Sequence, residues 1–272
     1  MALTSAVACL DGWYDEERDD QGAFRWMGRA ARCRVAGGPG ASAPYLKVTV
    51  GHGRRSVAPM LSLSINGGPA TERRVRAGMS SVLLAIDASG DVEVDLTVDH
   101  TFRSPGDTRR LGLLVRAIEV VDVNRLDEPL QVEGWYEWER DRCGPFRWIA
   151  PEARVIIPDG MREAGSSMAL AACTLPESGG QVLTVSAGDR VVAVVTLDGE
   201  WRGHAVPLPA APATGGIARP PLDLALRIAP PVPRALHLAD DRWLGARLAG
   251  LRICPDARSL QAWRAQYESA PA

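Results

Sequence analysis

Two stretches of the chain carry acidic, arginine and aromatic side chains in one order. They are DGWYDEERDDQGAFRWMGRAAR, from Asp11 to Arg32, and EGWYEWERDRCGPFRWIAPEAR, from Glu133 to Arg154. Residues of these types serve two kinds of glycan chemistry. Two carboxylates facing each other across a cleft hydrolyse glycosides, and Glu17 with Asp107, or Glu139 with Asp240, are the available pairs. Aromatic rings backed by Arg, Glu and Asp instead bind sugars without breaking them, because the apolar C–H face of a sugar stacks on a ring while charged groups hydrogen-bond its hydroxyls. Acidic residues are common enough that carboxylate pairs can always be found, and each of these is better explained as the neutralising partner of an arginine of the same unit. Aromatic residues make up only 6% of the chain, yet Trp13, Tyr14, Phe24 and Trp26 gather in one stretch, and Trp135, Tyr136, Trp138, Phe146 and Trp148 in the other. Binding is the better expectation, and no catalytic residue is assigned.

The likeness of the two stretches extends to whole units. Gly12-Trp13-Tyr14 aligns with Gly134-Trp135-Tyr136, Glu17-Arg18-Asp19 with Glu139-Arg140-Asp141, and Phe24-Arg25-Trp26 with Phe146-Arg147-Trp148, all at an offset of 122. A closing motif follows, in which Asp107, Arg109, Leu111 and Gly112 align with Asp240, Arg242, Leu244 and Gly245 at an offset of 133. Between them, LSLSING (Leu61 to Gly67) resembles AVVTLDG (Ala193 to Gly199), each an apolar run ending in a dipeptide that favours tight turns. A repeat of this length is a domain rather than a solenoid unit, so the pattern implies tandem duplication.

The elements that must position these residues are strands. VEVDLTVDHTF alternates apolar and polar residues, as a half-buried strand does, and YLKVTV, SVLLAID, QVLTVSAG and RVVAVVTLDG are short and rich in β-branched residues. GGPGAS, at Gly37 to Ser42, reads as a loop, and the prolines between Pro207 and Pro233 predict loops and edge strands. SLQAWRAQYES predicts one helix, with Leu260, Trp263 and Tyr267 on one face, exposed and free to dock a partner. The expected fold is all-β: two tandem β-sandwich (jelly-roll-like) domains from an internal duplication, with a short C-terminal helix. The expected boundaries are 1–122 for the first sandwich, 123–131 for a linker, 132–254 for the second sandwich and 255–272 for the helical tail.

Composition narrows the function classes. The chain of 272 residues is 46% apolar and 24% charged, the profile of a globular protein. A formal charge of -2 argues against nucleic acid as a partner. Lys47 is the only lysine, and this arginine bias hints at GC-rich bacterial coding. The five cysteines are scattered, and His52, His100, His204 and His237 have no ligand spacing. Neither a metal nor a cofactor is expected. The N-terminus lacks the basic and apolar regions of a signal peptide, and no apolar run is long enough to span a membrane. The expectation is therefore a cytoplasmic protein without a membrane span.

Within the motif, adjacent strand residues point to opposite faces, so Trp13 and Trp135 are expected inside and Tyr14 and Tyr136 outside. Trp26 and Trp148 are expected in the sandwich cores. Arg25 and Arg147 then point away from their flanking rings, toward Glu17 and Glu139 or toward Asp107 and Asp240. Candidate carbohydrate-binding residues are Tyr14, Glu17, Arg25, Tyr136, Glu139 and Arg147. The structural part of the motif comprises Trp13, Trp26, Asp107, Arg109, Trp135, Trp148, Asp240 and Arg242. The Gly-Trp-Tyr opening, the acidic residue, Phe-Arg-Trp and the later Asp-x-Arg-x-Leu-Gly resemble accessory β-sandwich modules associated with bacterial glycosyltransferases and surface-polysaccharide assembly proteins. The resemblance spans approximately residues 10 to 121 and 132 to 254. It implies a non-catalytic cytoplasmic module whose partner is a glycan or a separate glycan-assembly enzyme, since no transferase domain is attached. The alternative is a structural scaffold in which the repeated motif only locks the fold.

Overall fold

The computed structural model describes residues 7–19, 22–37, 44–52, 58–75, 78–86, 90–141, 143–210, 220–233, 242 and 244–268. The chain divides into two compact units, Met1–Asp122 and Val123–Ala272. The described strands of the first are β1 (Val7–Cys9), β2 (Trp13–Asp19), β3 (Gly22–Met27), β4 (Ala30–Val35), β5 (Pro44–His52), β6 (Met60–Ile65), β7 (Thr71–Arg74), β8 (Gly78–Ala85), β9 (Val92–Val98) and β10 (Leu114–Asp122). They form two five-stranded antiparallel sheets, ordered β1-β4-β9-β6-β7 and β2-β3-β10-β5-β8. In β4 and β9 the buried residues fall at every second position, as the period of a strand with one covered face requires. Cys33, Val35, Val94 and Leu96 from one sheet meet Met27, Leu46, Val48 and Val115 from the other in a single core.

The second unit repeats this plan element by element. Its strands are β11 (Leu130–Gln131), β12 (Trp135–Asp141), β13 (Gly144–Ile149), β14 (Glu152–Ile157), β15 (Ser167–Cys173), β16 (Gln181–Ala187), β17 (Arg190–Leu197), β18 (Arg202–Pro207), β19 (Leu222–Ala229) and β20 (Ala246–Cys254), followed by α1 (Ala257–Glu268). The sheets are β11-β14-β19-β16-β17 and β12-β13-β20-β15-β18, the order of the first unit with ten added to every strand. Both units are β-sandwiches, and the protein is a tandem pair with one short C-terminal helix. No helix among the described residues is long and apolar enough to cross a membrane.

Several expectations are corrected. The stretch 123–131 is not a free linker. It opens the second unit with a 3-10 turn at Val123–Arg125, and its Leu130 pairs with Ile156 of β14, as Ala8 of β1 pairs with Arg34 of β4. The counterpart of LSLSI is β16, not the AVVTL of β17, because β6 and β16 hold the same place beside β9 and β19. The proline-dense region contains a central strand, β19, which tolerates its surroundings because Pro220, Pro221, Pro230 and Pro231 all lie outside its ends. Helix α1 is no displayed docking face: Trp263 is buried against Ala169, Ala171 and Cys254, with Leu260 and Tyr267 packed beside it. The close approach is possible because Gly203 and Gly250 carry no side chain where Arg264, Trp263 and Tyr267 lie. Most of the predicted GGPGAS loop falls outside the described residues.

In each unit the chain crosses from one sheet to the other at the glycine that opens the motif. Gly12 has φ +80° and Gly134 φ +79°, a left-handed conformation that costs other residues about 1–2 kcal/mol. A Cβ on Gly12 would sit 1.9 Å from the Ala30 carbonyl oxygen, and one on Gly134 would sit 2.2 Å from that of Glu152. Alanine at either glycine should therefore cost about 3 kcal/mol or more, from backbone strain and collision together. Thermal unfolding of Gly12→Ala and Gly134→Ala tests this; a melting temperature within a degree or two of the parent would refute it.

Candidate functional site

The repeated residues separate into those that close on one another and those that do not. Trp13 Nε1 donates to the Arg32 carbonyl at 2.7 Å, and Trp135 Nε1 to that of Arg154 at 2.8 Å. Each bond ties β2 or β12 of one sheet to β4 or β14 of the other. Trp135 lies in the inter-sheet core and Trp13 packs against its counterpart.

On the opposite face, Tyr14, Glu17, Asp107 and Arg109 form one cluster. Asp107 Oδ1 accepts from the backbone N–H of Arg109 at 2.8 Å, while its carboxylate takes Nε and Nη2 of the same guanidinium at 3.0 and 2.7 Å. Glu17 accepts from Nη1 at 2.6 Å. The guanidinium lies 5.3 Å from the centre of the Tyr14 ring, whose hydroxyl donates to the Arg110 carbonyl at 3.1 Å. The second unit repeats this with Glu139 and Arg242 at 2.5 Å and the guanidinium 5.2 Å from the Tyr136 ring. Asp240 lies outside the described residues. Tyr136 was expected in solvent but is buried, because Val232 and Leu244 cover it together with Phe146 and Trp148.

A second matched ion pair escaped the sequence reading. Asp19 meets Arg116 at 2.5 Å, and Asp141 meets Arg247 at 3.2 Å. Each arginine also lies 5.5 Å from a phenylalanine ring, Phe24 or Phe146. At the closing offset Arg247 aligns with Leu114 rather than Arg116, so the two arginines reach the same partner from positions two residues apart. Alternate strand positions share a face, which makes the exchange possible and hides it from alignment.

The Phe-Arg-Trp triplets also depart from expectation. Met27 and Ile149 are fully buried between the sheets, so the alternation turns Phe24, Trp26, Phe146 and Trp148 to the outer face. Trp26 packs edge-on to Phe24 and Phe102, and Trp148 is buried in the separate outer cluster with Phe146. Neither fills an inter-sheet core. Arg25 and Arg147 do point away from these rings, but Glu17 and Glu139 are taken by Arg109 and Arg242. Arg25 instead donates to the Tyr14 carbonyl at 3.2 Å, with Glu16 3.9 Å away. Arg147 lies between two indoles, 4.7 Å from the centre of Trp135 and 5.0 Å from that of Trp138. Burial pulls its pKa down to about 10, which leaves it cationic at neutral pH.

Trp138 was not singled out as a site residue. It is 56% exposed, and no other aromatic side chain among the described residues is as open. One face rests on the Arg147 guanidinium and the rest meets solvent. Its signal in the sequence is a difference: the matching residue of the first unit is Glu16. Each faces the repeated arginine across the hairpin, Glu16 opposite Arg25 and Trp138 opposite Arg147.

No family model and no curated protein matches the chain. Among solved structures, it is similar to a GH2 β-galacturonidase from Eisenbergiella tayi, bound to galacturonate, with 13% identity and a TM-score of 0.27 over 77% of this chain and 38% of that one. It is also similar to a structure of the M60 catalytic domain with two CBM51 domains from Clostridium perfringens, with 8% identity and a TM-score of 0.22 over 92% and 38%. The chain thus spans well under half of each, and likenesses at these scores carry no argument about its function.

Hydrogen bonds from the Arg109 side chain and backbone hold the Asp107 carboxyl below its usual range. The stability this contributes is present above the unfolded pKa of about 3.9 and is lost as pH falls through the lower folded value. Asp107→Asn should therefore be less stable than the parent at neutral pH, with the difference narrowing toward pH 2. Melting temperatures from pH 7 to 2 measure this, and parallel curves would show that the carboxylate contributes nothing.

Proposed function

We propose that this protein is a non-catalytic carbohydrate-binding module that uses Trp138 as its stacking platform. The observation that supports this reading is the open indole braced by Arg147, which rests in turn on Trp135. A ring held on one side by a cation that itself rests on a buried indole loses little freedom when a sugar settles on the other, so less of the contact energy is offset by ordering. Cation–π contacts of this kind contribute about 0.5–2 kcal/mol each. The proposed setting is the bacterial cytoplasm, beside a separate enzyme that builds surface glycans, as the motif resemblance implies.

A second reading is favoured by the other motif residues. Tyr14, Glu17, Asp107 and Arg109 bond to one another, as do Glu139 and Arg242 against Tyr136. Those residues suit a structural lock within an interaction scaffold, and they leave Arg25 and Arg147 as the members of the predicted binding set with a place in recognition.

A glycan array probed with the full chain, followed by titration of the best hit, separates the two. Trp138→Ala should weaken binding about tenfold or more while the melting temperature moves by only a few degrees. Undiminished binding by Trp138→Ala would remove the platform, and no saturable binding to any glycan would leave the scaffold reading.

A further inference from the structure

The first unit has a cleft of about 450 Å³ beside its own motif arginine. It opens between β1, at the edge of one sheet, and β2, β3 and β10 of the other. Cys9, Trp13, Glu16, Arg25, Val115 and Ile118 are among its lining residues. In the second unit the position of Glu16 is Trp138, whose indole covers the guanidinium of Arg147. The shorter carboxylate of Glu16 leaves the Arg25 side open.

The lining carries both signs in pairs. Glu16 lies 3.9 Å from Arg25 and 3.5 Å from Arg18. Arg116 is bound to Asp19 at 2.5 Å, and Glu119 to Lys47 at 2.8 Å. A charged ligand gains no net field from such a lining. A neutral ligand with many hydroxyls can accept from Arg25, donate to Glu16 and lay an apolar face toward Trp13, Val115 and Ile118. A guanidinium has five N–H donors, and among the described residues that of Arg25 makes a single hydrogen bond, to the Tyr14 carbonyl.

We propose that this cleft is a second sugar site, which takes a neutral pyranose ring beside Arg25 and Glu16, apart from the Trp138 surface. The proposal rests on the reading of the protein as carbohydrate-binding but uses none of the residues of the Trp138 platform.

Indole N–H resonances in a 15N-correlation spectrum of the full chain test both places at once, with signals assigned through Trp13→Phe and Trp138→Phe. D-Glucose, D-galactose, D-mannose and D-glucuronate are titrated separately. At least one neutral hexose should shift the Trp13 signal saturably, and glucuronate should do so at least about tenfold more weakly. The shift should persist in Trp138→Ala and disappear in Glu16→Trp, which places the second unit's own side chain in the cleft; Arg25→Ala should weaken it about tenfold. A Trp13 signal unmoved by every hexose overturns the cleft, whether or not Trp138 responds. A Trp138 response alone leaves the platform standing, and a Trp13 response alone removes the platform but keeps the cleft. A Trp13 shift that survives in folded Glu16→Trp, or is stronger with glucuronate, also overturns the proposal.

Discussion

Each sandwich depends on the point where the chain leaves one sheet and enters the other. At Gly12 the backbone passes so near the Ala30 carbonyl that no side chain fits, and Trp13 immediately spends its indole N–H on the Arg32 carbonyl. Backbone bonds close around that junction: Leu10 N to Arg32 O, Arg32 N to Asp11 O and Gly28 N to Gly12 O, at 2.8 to 2.9 Å. The second unit makes the same three bonds, Val132 N to Arg154 O, Arg154 N to Glu133 O and Ala150 N to Gly134 O. Gly-Trp is thus the pin that sets the spacing of the sheets, and everything beyond it in the motif is placed relative to this pin.

From the pin, strand alternation distributes the remaining side chains. Tyr14 and Tyr136 turn to the outer face and support Arg109 and Arg242, while Arg25 and Arg147 turn toward the mouth of the sandwich. The two faces have different fates. The outer face is occupied by the protein's own ion pairs and rings, and in the second unit it is sealed by Val232, Leu244 and Trp201. At the mouth, Glu16 of the first unit stands where the second has Trp138, so that one unit has an open cleft and the other a displayed indole. The shared residues hold the fold and supply the arginine at each proposed site, while the residue opposite that arginine differs. Duplication supplies this freedom, since one copy of a frame can vary a position that the other keeps.

The fold was legible in the sequence because it rests on local patterns. The alternation of VEVDLTV needs only the period of a strand, and the doubled motif needs only comparison of the chain with itself. The reading that placed Trp26 and Trp148 between the sheets missed, although Trp148 is buried in an outer cluster, because alternation says which residues share a face, not which face is covered. Only Met27 and Ile149, already inside, decide that.

The sequence alone therefore determined the duplication, the all-β class, the terminal helix and the composition of the motif, all of which follow from short-range periodicity and self-likeness. Tertiary structure alone decided which arginine meets which acid. Glu17 and Arg109 are 92 residues apart, and Glu139 and Arg242 103 apart. Such pairings depend on which strands become neighbours, as the exchange of Arg116 for Arg247 shows. It likewise decided that Trp138 stands open while Tyr136, two residues earlier, is buried. Exposure is set by what the rest of the chain lays over a side chain, and no property of that residue or its immediate neighbours encodes it.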